Sequence, residues 1–264
     1  MSHDVDWRRQ GAPLEHIVAR KERFPHAVIE EAHIKNPYYN IPEYMELEEK
    51  HNIRSTFFFR TSYENGDYRD YENDIKALVR HGWEIGLHCD PSSINDFTRM
   101  KTEKEKLEEL TRHPVYGNRS HYLAFSEKLP IILKELGFIY DSSYKKSKDK
   151  IEEDEIGFNT LNGIIEFPVT IMDAYLFTYM HIEEGKIVDL FRHTLNRARK
   201  QNSEFNVITV IWHDNVLKMR GGRAYEKILG YLSTQEDVKV CRAIDLANII
   251  TNMNNNHEKK LNKV

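Results

Sequence analysis

The chain has 264 residues, of which 40% are hydrophobic and 30% charged, and its formal net charge is −4. This composition is typical of a folded globular protein and excludes a disordered chain, a fibrous chain and a strongly basic nucleic-acid binder. The length is large for an average domain, but α/β barrels reach it as a single domain.

Apolar runs alternate with stretches of helical period along the chain. Counted with the N-terminal segment, the extended runs give about seven strands, and this alternation indicates a parallel α/β sheet. In barrels of this kind the chemistry lies where strands end and loops begin. Helices are predicted over residues 43–51, 71–81, 101–111, 126–136, 187–200, 223–232 and 243–252, and extended runs at 55–59, 82–88, 115–121, 138–141, 164–169 and 207–212.

The absence of repeats, linkers and long apolar runs in the sequence sets our expectations for the domain organisation and the compartment. No internal repeat or linker divides the chain, so we expect a single domain over residues 1–251 and a frayed tail, rich in Asn and Lys, over residues 252–264. Two cysteines, Cys89 and Cys241, fit a reducing compartment. No apolar run has the roughly 20 residues of a membrane helix, and residues 1–7 are acidic rather than signal-like. The sequence therefore predicts a cytoplasmic protein without a membrane span.

Asp4 and Asp6 stand one residue apart on the first predicted strand. Because side chains alternate along a strand, both carboxylates point to the same face, and His3 points to the other. Two neighbouring carboxylates repel each other, so a bound cation or a role as a base is the natural reason for the pair. The alternative is an exposed acidic segment at the N-terminus.

Two further predicted strands end in groups that suit a metal site. His88 follows an apolar run, where a neutral imidazole can bind zinc; the alternative is a hydrogen bond that caps the strand. Arg119 and His121 are two residues apart and share a face. A buried arginine needs a carboxylate, and Asp4 would provide it. A surface salt bridge is the alternative for Arg119.

The most apolar predicted strand ends at His213, a position suited to a general acid, and Asp173 could orient its second ring nitrogen. Residues 166–176 carry aromatic side chains that could line a sugar-sized groove. We expect Asp173, Tyr122 and Trp212 to take part in substrate binding. The alternative interpretation places Trp212 in the hydrophobic core.

Taken in order, these segments resemble the motifs of the polysaccharide deacetylase family, carbohydrate esterase family 4. The resemblance extends from Ser2 to about Asn215, and five motifs in the right order are fairly specific. The segment 119–123 is most similar to a subgroup found with enzymes of surface-polysaccharide biosynthesis. The matching segments are residues 2–6, 55–59, 84–88, 117–119 and 211–213.

The resemblance implies a distorted seven-stranded (β/α) barrel that removes an N-acetyl group from a sugar by hydrolysing a linear amide. It assigns Asp4 as the catalytic base, Arg119 as the residue that tethers it and His213 as the catalytic acid. Asp6 and His88 would be metal ligands. The expected cofactor is a divalent metal, with zinc first and cobalt or nickel also suited to these ligands. The expected partner is an N-acetylated saccharide, here an intracellular one because no export signal is present.

The sequence departs from the family pattern at one position. The family usually has a second metal histidine four residues after the first, and this chain has Ser92 there. His121 is the first candidate for the missing ligand because its strand neighbour Arg119 already faces the site, and Asp90 and Ser92 are lesser ones. The main alternative is therefore a non-catalytic carbohydrate-binding barrel with a degenerate metal site. A metallophosphoesterase would need a histidine directly after Asn118, where this chain has Arg119. A scaffold protein is a further alternative that the sequence leaves open.

Overall fold

The computed structural model describes residues 1–261, with side chains described through residue 253. One sheet forms its centre, and every neighbouring pair of strands is parallel except β6 and β7. The order across the sheet is β6-β7-β5-β4-β3-β2-β1-β9-β8, which confirms the predicted α/β class. The strands are β1 Ser2–Val5, β2 Thr56–Phe59, β3 Glu84–Cys89, β4 Gly117–Ser120, β5 Tyr140–Asp141, β6 Asn159–Leu161, β7 Ile164–Glu166, β8 Val169–Met172 and β9 Thr209–Ile211.

The sheet curls toward a barrel without closing. Strand β8 forms one edge and β7 lies next to the other edge, yet only Phe167 and Pro168 connect them. Three Cα steps of 3.8 Å span at most about 11 Å, so the two ends of the sheet must approach each other. In the described part of the chain these ends form no ladder with each other. The result is a curled half-barrel rather than a closed cylinder.

The predicted count of seven strands is not confirmed, since the sheet has nine strands. The predicted extended run over residues 164–169 is two strands, β7 and β8, which separate at Phe167 and Pro168. In addition, β6 pairs with β7 through a two-residue turn, Asn162-Gly163, in which both residues have positive φ, 50° and 82°. Asn-Gly is the preferred sequence of such a hairpin turn, because both positions need a left-handed backbone.

Ten α-helices pack around the sheet within the described residues. The seven predicted helices correspond to α3–α6 and α8–α10, and the short helices α1, α2 and α7 were not predicted. Five or six residues form no stable helix alone, so tertiary contacts must hold these three. The helices are α1 Leu14–Val18, α2 His26–Glu31, α3 Ile41–Lys50, α4 Glu72–Arg80, α5 Phe97–Thr111, α6 Leu129–Glu135, α7 Asp173–Thr178, α8 Ile187–Lys200, α9 Tyr225–Ser233 and α10 Ala243–Leu261.

Helix α10 continues into the segment for which we predict a frayed tail, residues 252–264, and residues 262–264 lie outside the described part of the chain. The division into a domain over residues 1–251 and a tail therefore stays a prediction. Among the described helices, none combines the length and the apolar character that a membrane crossing requires.

Strand β2 supplies an aromatic layer beneath the site. Its Phe58 ring fits where Gly86 of β3 has no side chain, because a Cβ there would lie 2.5 Å from the ring. The ring supports the Arg119 guanidinium of β4, whose central carbon is 4.3 Å from the ring centroid. This packing holds β1, β3 and β4 in positions from which their side chains converge above β2.

Candidate metal and active site

Side chains from four strands meet at the carboxyl edge of the sheet. Asp4 lies in β1 and Asp6 directly follows it, while His88 lies in β3. His121 begins a short 3-10 turn after β4, and His213 comes two residues after β9. Because the strands are parallel, these ends share one edge, as in other α/β barrels. Groups that are more than 200 residues apart in sequence are thus brought together.

Asp6, His88 and His121 form a compact set of metal donors. One ligand atom from each lies within 4.8 Å of the other two. Asp6 Oδ1 is 3.1 Å from His88 Nε2 and 3.6 Å from His121 Nε2. Donors placed 2.0–2.1 Å from a tetrahedral ion lie about 3.4 Å apart, so this spacing suits a zinc-sized ion. Two imidazoles and one carboxylate also suit cobalt or nickel.

The hydrogen bonding of His88 supports a cation at this position. Its Nδ1–H donates to the backbone carbonyl of Arg119 at 2.8 Å. Its Nε2 faces Asp6 Oδ1 at 3.1 Å, so either a proton or a metal ion can lie between these two atoms. A histidine held by a carbonyl at its other nitrogen is the usual arrangement of a metal ligand.

The protonation states of the other two donors also suit a metal. Burial lowers the pKa of His121 to about 4, which leaves the imidazole neutral and able to bind. Burial favours the neutral form of Asp6, but the hydrogen bond with His88 and the charge of His213 hold the pKa of Asp6 below its usual value. Neither Asp6 nor His121 therefore has to lose a proton before it binds a metal at neutral pH.

Asp4 is held by Arg119, as the sequence predicts for this pair. Arg119 Nη1 donates to Asp4 Oδ1 at 2.7 Å, and both side chains are almost fully buried. The guanidinium also donates from Nη1 to Ser2 Oγ, from Nε to the Ser142 carbonyl and from Nη2 to Ser142 Oγ. Burial opposes ionisation of Asp4, but Arg119 and the nearby histidines keep its pKa below the usual value. Asp4 is therefore an oriented carboxylate.

His213 is oriented by Asp173, again as predicted. Its Nδ1–H donates to Asp173 Oδ1 and its backbone N–H to Oδ2, both at 2.6 Å. Tyr44 donates a further hydrogen bond to the His213 carbonyl at 2.9 Å. Burial lowers the pKa of the ring, yet Asp173 and the site carboxylates raise it to about 10. His213 Nε2 is left 3.6 Å from Asp6 Oδ2, on the site side of the ring.

The remaining predicted residues lie in three different environments. Trp212 is fully buried in the hydrophobic core, where the alternative interpretation places it. Tyr122 is 81% exposed, and its ring stacks on the metal-ligand candidate His121 with centroids 3.8 Å apart. Ser92 is exposed and donates to Asp90 Oδ1 at 2.8 Å, outside the donor set. The roles assigned to these residues stay predictions, and Asp173, which is fully buried, reaches the site only through His213.

Sequence reasoning missed several residues that hold the site together. Ser2 and Ser142 bind the Arg119 guanidinium, and Tyr44 binds the backbone at His213. Asp214 is fully buried beside His213, and burial raises the pKa of its carboxyl well above the usual value. A serine directly after a strand end was a usable signal for Ser142. No local pattern pointed to Tyr44, which reaches the site from a helix.

Comparison with known proteins gives matches in structure alone. No protein-family model matches the chain, and no curated protein matches its sequence. A Mycobacterium smegmatis protein described as a polysaccharide deacetylase has a TM-score of 0.66 at 19% identity, over 96% of this chain and 90% of its own. A Pseudomonas aeruginosa PAO1 protein with the same description has a TM-score of 0.66 at 14% identity, over 94% and 88%. Puue allantoinase also has a TM-score of 0.66 at 14% identity, over 94% and 87%.

At these identities the similarity establishes the fold. The chain has the fold of the polysaccharide deacetylases, which confirms the sequence resemblance at that level. The same fold carries an allantoinase, so the fold by itself does not select the substrate.

Proposed function

We propose that the protein belongs to the polysaccharide deacetylase family and is a metal-dependent hydrolase that removes an N-acetyl group from a sugar. The observation that carries this proposal is the approach of Asp6 Oδ1 to His88 Nε2 at 3.1 Å, with the other His88 nitrogen committed to a carbonyl. The fold supports it, since solved structures described as polysaccharide deacetylases share the fold.

Asp6, His88 and His121 would hold the divalent ion, with zinc the first choice and cobalt or nickel suited to the same donors. Such an ion, when bound, supplies polarisation of the amide carbonyl and lowers the pKa of a water ligand from 15.7 to about 7. His121 here takes the place of the family histidine that would stand at Ser92. Three protein ligands and an open position are typical of a catalytic rather than a structural zinc site.

The other buried groups have the geometry for the two proton transfers of amide hydrolysis. Asp4 accepts the proton of the attacking water, and Arg119 keeps this carboxylate ionised and aimed. His213 lies near Asp6 Oδ2, whereas His88 and His121 lie near Asp6 Oδ1. From this position His213 donates a proton from Nε2 to the departing sugar amine. Asp173 keeps the Nδ1 proton in place, so that only Nε2 can transfer one. Each such acid or base contributes about 10²–10⁴ in rate.

We further propose that the substrate is an N-acetylated saccharide of surface-polysaccharide biosynthesis, of the O-antigen or capsule type. The segment 119–123, with His121 in a ligand position, supports this assignment. Both cysteines are free thiols, which agrees with action in the reducing cytoplasm.

Hydrolysis of allantoin is a second candidate, because Puue allantoinase is as similar in structure as the two proteins described as deacetylases. The site offers the same groups to either amide. The non-catalytic carbohydrate-binding barrel remains the alternative from another class of protein, and it predicts sugar binding that a chelator leaves unchanged.

The test combines metal analysis with acetate release. The zinc-loaded protein should release acetate from at least one member of a panel of N-acetylated sugars and sugar nucleotides. Asp6→Ala should lose both the metal and the activity, while His193→Ala, at an exposed histidine outside the site, should lose neither. A loaded protein that leaves the whole panel untouched would contradict the proposal. Turnover of allantoin alone would favour the second candidate, and chelator-insensitive sugar binding would favour the binding barrel.

A further inference from the structure

Three arginines that the proposed mechanism does not use lie close together. Arg20 directly precedes a short 3-10 turn, Lys21–Arg23, and Arg23 ends it. Side chains three residues apart in such a turn lie on the same side. Arg220 lies beside them, because its backbone N–H donates to the Arg23 carbonyl at 2.7 Å and its Nε to the Phe24 carbonyl at 3.3 Å. We call Arg20, Arg23 and Arg220 the arginine cluster.

No carboxylate neutralises the arginine cluster within the described part of the chain. There, the ion pairs of residues 7–40 have Arg9, His26 and Lys35 as their cations. The Arg20 guanidinium has one long hydrogen bond, at 3.4 Å to the His16 carbonyl. Because an arginine stays protonated at any ordinary pH, the cluster carries three positive charges.

The segment that carries Arg20 and Arg23 continues from the metal donors. Trp7 directly follows Asp6 in the chain, and its ring packs edge-on against the His16 ring with centroids 4.6 Å apart. Burial lowers the pKa of His16, and the charges of Arg20 and Arg23 lower it further. The arginines therefore act on a ring that Trp7 connects to the donor set, and this ring is neutral near pH 7.

The segment that carries Arg220 continues from the candidate acid. Arg220 comes seven residues after His213, at the end of β9, and β9 is the sheet neighbour of β1. One small hydrophobic core, which includes Trp7, Phe24 and Met219, holds the two segments together. The arginine cluster therefore lies on the carboxyl edge of the sheet, on segments that lead directly from the metal donors and from His213.

The chemistry of the arginine cluster suits a phosphoryl group. A guanidinium presents parallel N–H donors that match two oxygens of a phosphate, and it is easily taken out of water compared with an ammonium. Three positive charges fit a ligand with two or more negative charges better than the single charge of a sugar carboxylate. The neutral His16 ring adds a further N–H donor beside them.

We propose that the arginine cluster binds a phosphoryl group carried by the acetylated sugar, so that the substrate is a sugar phosphate or diphosphate and not a neutral saccharide. This inference rests on the proposed function. A nucleotide sugar, a lipid-linked sugar diphosphate and a free sugar 1-phosphate share this anionic group. They differ in what is attached beyond it.

The test compares N-acetylglucosamine with its 1-phosphate as substrates of the zinc-loaded protein. KM for acetate release should be about tenfold lower for the 1-phosphate. The double variant Arg23→Gln/Arg220→Gln should raise the KM of the 1-phosphate about tenfold without lowering kcat, since the cluster binds a group that does not react. Arg80→Gln is the matched control and should change neither, because Arg80 is an exposed arginine at the end of α4, at the amino edge of the sheet.

Two further substrates distinguish the sources of the phosphoryl group. They are UDP-N-acetylglucosamine and N-acetylglucosamine linked through diphosphate to a geranyl chain. A KM below that of the 1-phosphate for the first compound would support the cluster with a nucleotide sugar as its ligand. The same result for the second compound would support the cluster with a lipid-linked sugar as its ligand.

A binding measurement separates this inference from the proposed function. Glucose 1-phosphate has no amide to hydrolyse, and its calorimetric affinity for the zinc-loaded protein should exceed that of glucose, weaken with added salt and fall about tenfold in the double variant. Such binding without acetate release from any substrate would support the inference and contradict the proposed function. Phosphate binding at the zinc alone would not respond to the double variant and would overturn the inference. Acetate release with no preference for the 1-phosphate would support the proposed function and overturn the inference.

Discussion

Histidines and carboxylates lie on both faces of β1, but their hydrogen bonding differs between the two faces. On the core face, His3 Nδ1 donates to the Trp212 carbonyl at 2.6 Å, and His3 Nε2 lies 2.8 Å from Glu48 Oε1. Glu48 also accepts from Trp83 Nε1 and the Tyr225 hydroxyl, both at 2.6 Å. Both His3 nitrogens face acceptors, and the ring is fully enclosed by its partners.

On the site face, two histidines each have one ring nitrogen in a hydrogen bond and the other directed at Asp6. His88 and His213 commit Nδ1 to a carbonyl or a carboxylate, and their Nε2 atoms face Asp6, whose side chain is 24% exposed. Residue types alone do not distinguish the two faces. The difference is a ring nitrogen directed at an accessible carboxylate. We call the core face of β1 the closed face and the site face the open face, and the proposed function assigns the chemistry to the open face.

The largest expected effect is a loss of activity caused by a change on the open face alone. Asp4→Asn keeps an acceptor for Arg119 but removes the base, so acetate release should fall by about 10²–10⁴ while the bound zinc is retained. Steady-state kinetics and elemental analysis measure the two. Asp67→Asn, at an exposed site, is the control and should change neither. Loss of the metal in Asp4→Asn would mean that Asp4 is itself a ligand.

A change of the same kind on the closed face should act on stability. Glu48→Gln removes the fully buried carboxylate that His3, Trp83 and Tyr225 contact, which should lower the free energy of unfolding by about 3–5 kcal/mol. Urea denaturation measures this, with the exposed neighbour Glu49→Gln as the control. Zinc affinity should stay at the wild-type value. A large loss of zinc affinity in a folded Glu48→Gln protein would show that the two faces are coupled.

The smallest effect is a pH dependence of the closed face. Burial favours neutral Glu48, but hydrogen bonds from His3, Tyr225 and Trp83 hold the pKa of Glu48 below its usual value. A carboxyl with a lowered pKa in the folded state stabilises fully above its unfolded pKa of about 4.3, and this stabilisation is lost as the pH falls through the folded pKa. The difference in urea midpoint between wild type and Glu48→Gln should therefore be constant near neutrality and shrink below about pH 4.3. A difference that grows in acid would contradict the assignment.

Alternation along strands accounts for the parts of the site that the sequence predicts well. Asp4 and Asp6 do share a face, His3 does point away, and Arg119 reaches Asp4. His121 lies in the donor set, as alternation along the predicted strand suggests. However, β4 ends one residue before His121, so strand geometry alone does not explain its position. The groups that hydrogen-bond to these side chains come from other elements of the structure, and no local sequence pattern predicts which groups they are.

The sequence by itself determined the α/β class, the order of the motifs and the pairing of Asp4 with Arg119, because strand period and motif spacing are local properties of the chain. Tertiary structure alone decided the nine strands, and it alone decided between the alternatives that the sequence left open, placing Trp212 in the core and His121, rather than Asp90 or Ser92, beside Asp6 and His88. These depend on how far the sheet curls and on which side chains meet across distant strands. Such contacts are set by packing of the whole sheet, which no window of sequence records.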